Sequence, residues 1–232
     1  LRVVRQGDET ELSAILRLDS RSERMHFRTT HAPITTSADP FVPAVLLPAM
    51  QGRLNIDIDA PVSSEILAAA RRIQGVEAAW NRSWRLVELN AADTIDVLQD
   101  PPPASAVGVF FSGGVDSFYT LQKHRKEITH LIFVSGFDVP LNRSALRRLI
   151  LGELRSVAIT LDLPLIEVET NLRKFSDDRN FSWETQHGAA LSAVAHFLAP
   201  GFEKIYIPSS FALPFLFPFG SHPGLDPLWS TT

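Results

Sequence analysis

Residues 112–117 read Ser-Gly-Gly-Val-Asp-Ser and follow directly on the apolar run Val107-Gly108-Val109-Phe110-Phe111. A buried strand that enters a glycine pair and then a helix leaves several backbone N–H groups converging on one spot, with the positive end of the helix dipole behind them. That arrangement suits phosphate. Gly113 and Gly114 lack a Cβ, so the chain can bend sharply and approach a ligand closely. Ser112 and Ser117 can donate hydroxyl hydrogen bonds to phosphate oxygens, with Val115 between them contributing backbone. Asp116 has the wrong sign for direct phosphate contact, and the role that fits it is to hold Mg²⁺, which bridges a carboxylate and phosphate oxygens. A bare G-G-x-D needs no ligand, because an acid also complements the first turn of a helix. The full hexapeptide between strand and helix is what points to function.

The elements that must position this loop can be read from hydrophobic patterning. Strands are expected over 107–111, 130–134, 164–168 and 204–208, and helices over 117–127, 142–161 and 184–198. Apolar strands without alternation, separated by helices, predict an α/β fold with a doubly wound parallel sheet covered on both faces. Ligands in such sheets bind beyond the carboxyl ends of the strands, where the hexapeptide falls. Residues 1–104 have a different texture. Short alternating runs predict strands within 1–18, 25–30, 54–58 and 84–89, prolines 40, 43 and 48 break the run 41–50, and one helix is expected from Pro61 to Gly75 with Ser63 or Ser64 as cap. Pro101, Pro102 and Pro103 read as a stiff connector over 100–105. The expected organisation is a smaller β-rich α+β domain over 1–104 and an α/β domain over 105–232, with a C-terminal portion of the latter expected beyond Thr232.

Other candidates follow at the strand ends. Phe133, Val134 and Ser135 close the second parallel strand, and the first two serve equally well as ordinary core. Thr170, Asn171 and Arg173 follow the third strand, where a guanidinium could stabilise charge on a phosphate. A long loop over 175–188 is expected to gate the site or to lie on the surface, with Trp183 as its anchor. His187 can act as a helix cap or in catalysis. Ser209 ends the fourth strand, and His222 and Asp226 could orient a substrate or complete a metal shell. Phe215, Phe217 and Phe219 are expected to cover a dimer or interdomain face.

The stretch 109–117 resembles the PP-loop of the ATP pyrophosphatases, the adenine nucleotide alpha hydrolase-like superfamily, whose domains are HUP-like. The resemblance covers about 105–230. It implies that ATP is cleaved between the α and β phosphates and that the adenylated substrate, a small-molecule carboxylate or carbonyl, is then taken by a nitrogen nucleophile. By position, Ser112, Gly113, Gly114, Asp116 and Ser117 would cradle pyrophosphate and its magnesium, and Phe133, Val134 and Ser135 would meet adenine. The segment around Asp226 is distantly similar to the late acidic motif of the 7-cyano-7-deazaguanine synthase group, whose zinc cysteines have no counterpart here. No Walker A pattern, which acts at the γ-phosphate, occurs in the chain.

Composition prunes the alternatives. Without cysteine there is no disulfide, thiolate zinc site or protein-borne sulfur chemistry. A net charge of -4 offers no general attraction to nucleic acid. No apolar stretch is long enough to span a bilayer, so a cytoplasmic chain is expected, with a homodimer as the default assembly. Two other readings stay open: a tRNA-modifying enzyme that uses the same ATP half-reaction, and a non-catalytic ATP-binding protein.

Overall fold

Alternating apolar and polar residues near the N-terminus form an antiparallel meander of β1 (Arg2–Gln6), β2 (Glu9–Leu18) and β3 (Arg21–Thr30). Register decides its two faces. Leu12 opposes Phe27, both fully buried, whereas Glu11 opposes Arg28 on the other side. The computed structural model describes residues 1–18, 21–96, 106–209 and 211–231. The proline connector expected over 100–105 lies outside them.

The proline-broken stretch 41–50 is a helix, α1 (Phe41–Gly52), rather than a loop. Pro40 precedes it and Pro43 falls in its first turn, where no N–H is needed. Pro48 lies inside and deprives the Ala44 carbonyl of its helical donor. The fully buried Gln186 supplies the substitute, its Nε2 donating to Ala44 O at 2.9 Å. Replacing Gln186 with leucine is expected to cost roughly 1 kcal/mol, the worth of a net hydrogen bond, partly offset because Oε1 has no partner among the described residues. The loss should vanish in a Pro48→Ala background, which a double-mutant cycle of urea midpoints would measure.

β4 (Ile56–Ser63) and β5 (Leu89–Ile95) form a separate two-stranded parallel sheet, joined by α2 (Ser64–Trp80). Ser63 caps α2, its Oγ accepting the Ile66 N–H at 3.3 Å. The helix runs past Gly75 to Trp80. The strand expected over 84–89 begins only at Leu89, because the buried Gln74 side chain takes both backbone groups of Val87, at 2.7 and 3.2 Å.

The second half follows the expected alternation: β6 (Val107–Phe110), α3 (Val115–Lys123), β7 (His130–Ser135), α4 (Ser144–Leu161), β8 (Leu165–Thr170), α5 (Leu172–Asp177), α6 (Trp183–Leu198) and β9 (Lys204–Tyr206). The long loop expected over 175–188 is instead a short turn between α5 and α6. The larger sheet is also not purely parallel. Its order is β1-β2-β3-β8-β7-β6-β9, with β8, β7, β6 and β9 parallel and β3 antiparallel to β8. Thr29 Oγ1 donates to Glu167 O at 2.8 Å, and the Asn171 side chain binds His26 N and Arg24 O at 3.0 and 2.7 Å. These bonds close what would be a free edge of β8.

Stretches on either side of residue 104 therefore share one mixed sheet. They also share an apolar core. Phe27 stacks on Phe197 with centroids 5.6 Å apart and meets Phe41 edge-on at 5.5 Å. On this face Phe110, Ile132, Val134 and Val168 pack with residues of α1, α2 and α6. On the other, Val109, Phe111, Leu131 and Phe133 pack with Leu121 of α3 and Leu154 and Ala158 of α4. Burial on both sides explains why β6 and β7 lack alternation.

Candidate functional site

β6 delivers the chain to the bend, and Phe111 still donates to Ile132 O at 2.7 Å. Gly113 has φ +79°, a conformation that L side chains rarely adopt, and Gly114 at φ -82° is the N-cap of α3. Ser112, Gly113, Gly114, Val115 and Asp116 are all exposed. The bend is open to a ligand. Ser117 is buried, and its Oγ donates to Gly114 O at 2.7 Å, so this hydroxyl closes the bend instead of facing phosphate. The Ser112 Oγ stays beside the Gly114 N–H at 3.4 Å.

A cavity of about 180 Å³ unites Ser112, Gly114, Asp116 and Ser117 with Phe133 and Val134 at the end of β7. Phe137, Asp138, Leu191 of α6 and Pro208 beyond β9 also line it. Sequence reasoning missed Asp138 and Leu191 as site residues. The available signal for Asp138 was Gly136, which stands at φ +102° directly after β7 and turns the chain back, its N–H donating to Val139 O at 2.8 Å. Among the described residues no lysine or arginine lines this cavity, and Asp116 and Asp138 give its rim negative charge.

Arg173 does not line the cavity. Its Nη1 donates to Phe137 O at 3.0 Å and to Asp138 at 3.2 Å, while its guanidinium lies 4.6 Å from the Trp183 ring. It positions the 137–138 turn. Thr170 is fully buried, its Oγ1 accepting the Leu172 N–H at 3.2 Å, and Ser135 faces a different cavity, toward α4. Ser209 is exposed next to Pro208 and donates to Phe211 O at 3.3 Å.

His187 sits one turn into α6, with Nδ1–H donating to Glu184 O at 3.2 Å and its ring 4.6 Å from Phe219. Burial holds its pKa below the ordinary imidazole value. Phe211, Phe217 and Phe219 pack on one another, while Leu213 and Phe215 remain exposed. His222 and Asp226 lie outside the cavity lining and form a self-contained turn. Asp226 accepts from Ser221 Oγ at 2.7 Å and from His222 N at 3.2 Å, while the His222 ring meets Trp80 of α2 edge-on at 5.0 Å. Burial raises the Asp226 pKa, and on α2 it pushes Glu77 up to about 7.

Among the described residues no group of three or more His, Cys, Asp or Glu could hold a metal ion. A cation at this site would depend on Asp116, with the remaining oxygens coming from a ligand and water, which is the usual manner for Mg²⁺. Asp116 fits that role by exposure and by its place in the first turn of α3. No helix is long and apolar enough to cross a membrane among the described residues. Comparison with family models, with curated proteins and with solved structures returns no match.

Proposed function

We propose that the chain is an ATP-dependent adenylating enzyme of PP-loop type that releases AMP and pyrophosphate. The observation that carries this reading is the open diglycine bend at the carboxyl end of β6, sharing one cavity with the end of β7. The strand order supports a doubly wound, HUP-like parallel block. β7 and β8 lie to one side of β6 and β9 to the other, so the crevice beyond β6 and β9 is where the winding reverses. Ser112 at the end of β6 and Pro208 beyond β9 both line the cavity.

In the proposed reaction a substrate carboxylate oxygen attacks the α-phosphorus, the bond from that phosphorus to the bridging oxygen breaks, and pyrophosphate departs. A nitrogen nucleophile then displaces AMP from the acyl group. The N–H groups of the bend would hold the leaving diphosphate, and Phe133 and Val134 would lie against adenine. Mg²⁺ held by Asp116 would neutralise phosphate charge, which the acidic rim makes necessary. Ligand cavities typically run from about 300 Å³ upward, so at 180 Å³ this one would enclose part of a nucleotide and leave the rest in the open groove.

The test is to incubate the protein with ATP, Mg²⁺ and a pool of small carboxylates and amines and to identify the products. AMP with pyrophosphate sustains the reading, whereas ADP with phosphate, or no nucleotide binding at all, removes it. Gly114→Val suits the fold, since its φ is ordinary and a Cβ would meet only Ser112 Oγ at 3.4 Å. It should nonetheless block ligand approach and abolish Mg·ATP binding. Asp116→Asn should weaken that binding by roughly tenfold and steepen the Mg²⁺ requirement, as loss of one charged ligand implies. Calorimetry measures both.

A further inference from the structure

Val134 lines the cavity just described, and the next residue, Ser135, turns to the opposite face of the sheet. There it lines a separate cavity of about 440 Å³ between α4 and β3. Four guanidinium groups reach this cavity, Arg28 from β3 and Arg147, Arg148 and Arg155 from α4, against the three carboxylates of Glu9, Glu167 and Glu169. One positive charge is in excess.

The ion pairs identify which one. Glu169 is taken by Arg147 and, at 3.3 Å, by Arg28, while Glu167 is taken by Arg155 at 2.6 Å. Glu9 lies 3.4 Å from Arg28, which also holds Glu11 at 3.2 Å. Arg148 pairs with no carboxylate among the described residues. One further donor is unused: the hydroxyl of Ser135, a residue only 4% exposed, makes no hydrogen bond among the described residues. A hydroxyl without a protein partner and an unpaired guanidinium that line the same cavity together offer donors to an acceptor group.

We propose that this cavity is a binding site for a small molecule carrying a single oxyanion, a carboxylate or a phosphate. Arg148 would grip it as a planar fork, and Ser135 would donate the orienting hydrogen bond. The neighbouring ion pairs hold Arg147 and Arg155 in place and keep the wall from attracting more than one negative charge. The site lies on the α4 face, away from the diglycine bend, and the proposal does not depend on what that bend binds.

The experiment uses the full ¹⁵N-labelled chain, titrated with sodium phosphate and separately with sodium acetate, each against sodium chloride at matched ionic strength. Saturable shifts of the Ser135 and Thr30 amides are expected with one or both oxyanions and not with chloride. A response to phosphate alone or to acetate alone identifies the source and sustains the site. Arg148→Ala should raise the dissociation constant by roughly tenfold or more, as loss of a charged hydrogen bond implies. Its thermal midpoint without oxyanion should stay that of the parent, since Arg148 is exposed and unpaired. Ser135→Ala should weaken binding less. Equal response to chloride, or unchanged affinity in Arg148→Ala, would overturn the proposal. Mg·ATP titration of Arg148→Ala reports on the other cavity separately.

Discussion

Replacing Gly136 with alanine should be the most damaging single-methyl change in the chain. The residue stands at φ +102°, and a Cβ there would sit 1.8 Å from the backbone oxygen of Thr170. Neither partner can give way. Thr170 is fully buried at the end of β8, paired with Phe27 of β3 and followed at once by α5. Backbone strain at such a φ and overpacking against a fixed carbonyl each cost on the order of 1–3 kcal/mol. Their combination, roughly 3–5 kcal/mol, is a large part of the 5–15 kcal/mol that typically holds a domain together. Urea unfolding should show a much lower midpoint with an unchanged slope. If the proposed function holds, any folded fraction should bind Mg·ATP more weakly, because the turn carrying Phe137 and Asp138 into the cavity starts at this glycine. An unaltered midpoint would mean that the ends of β7 and β8 are not held in this close approach.

Gly188→Ala should act through a different part of the molecule. In isolation a helix gains about 1 kcal/mol from that exchange. Here the added methyl would meet Gly220 O at 1.8 Å, and Gly220 in turn is pressed on α6, where its own Cβ would come within 2.5 Å of Thr185 O. Two glycines thus let the chain lie directly on the helix, tied by the Gly220 N–H to Glu184 O bond at 2.9 Å. Alanine must lift the segment away, with its His222 contact to Trp80 and the buried Trp229. A net loss of roughly 2–4 kcal/mol is expected, in the range for core disruption after the helix gain. Hydrogen exchange offers the diagnostic: faster exchange across 221–230 with α6 still protected. Uniform exchange throughout would mean that the segment is not an independently releasable strap.

The legible part of the fold is the part governed by near neighbours. The unalternating runs of β6 and β7, the amphipathic helices α3 and α4, and the Ser63 cap were readable because burial on two faces, helical period and capping are all local in spacing. Helix α1 was not readable. Prolines ordinarily end helices, and the donor that makes Pro48 tolerable comes from Gln186, 142 positions from the Ala44 carbonyl it satisfies. The antiparallel junction of β3 with β8 was hidden for the same reason, since nothing in either strand announces a partner about 140 residues distant.

The candidate site divides along the same line. Residue types and order alone determined the diglycine bend at the start of α3, because two glycines and a helix start within six residues create that geometry locally. Tertiary structure decided the rest. It turned the Ser117 hydroxyl onto Gly114, assigned Arg173 to the 137–138 turn, sent Ser135 to another cavity, drew His222 and Asp226 into a turn against α2, and brought Asp138 and Leu191 to the bend. A side chain's role depends on which face it occupies and what packs across from it, and those are set by sheet register and helix docking between residues remote in the chain.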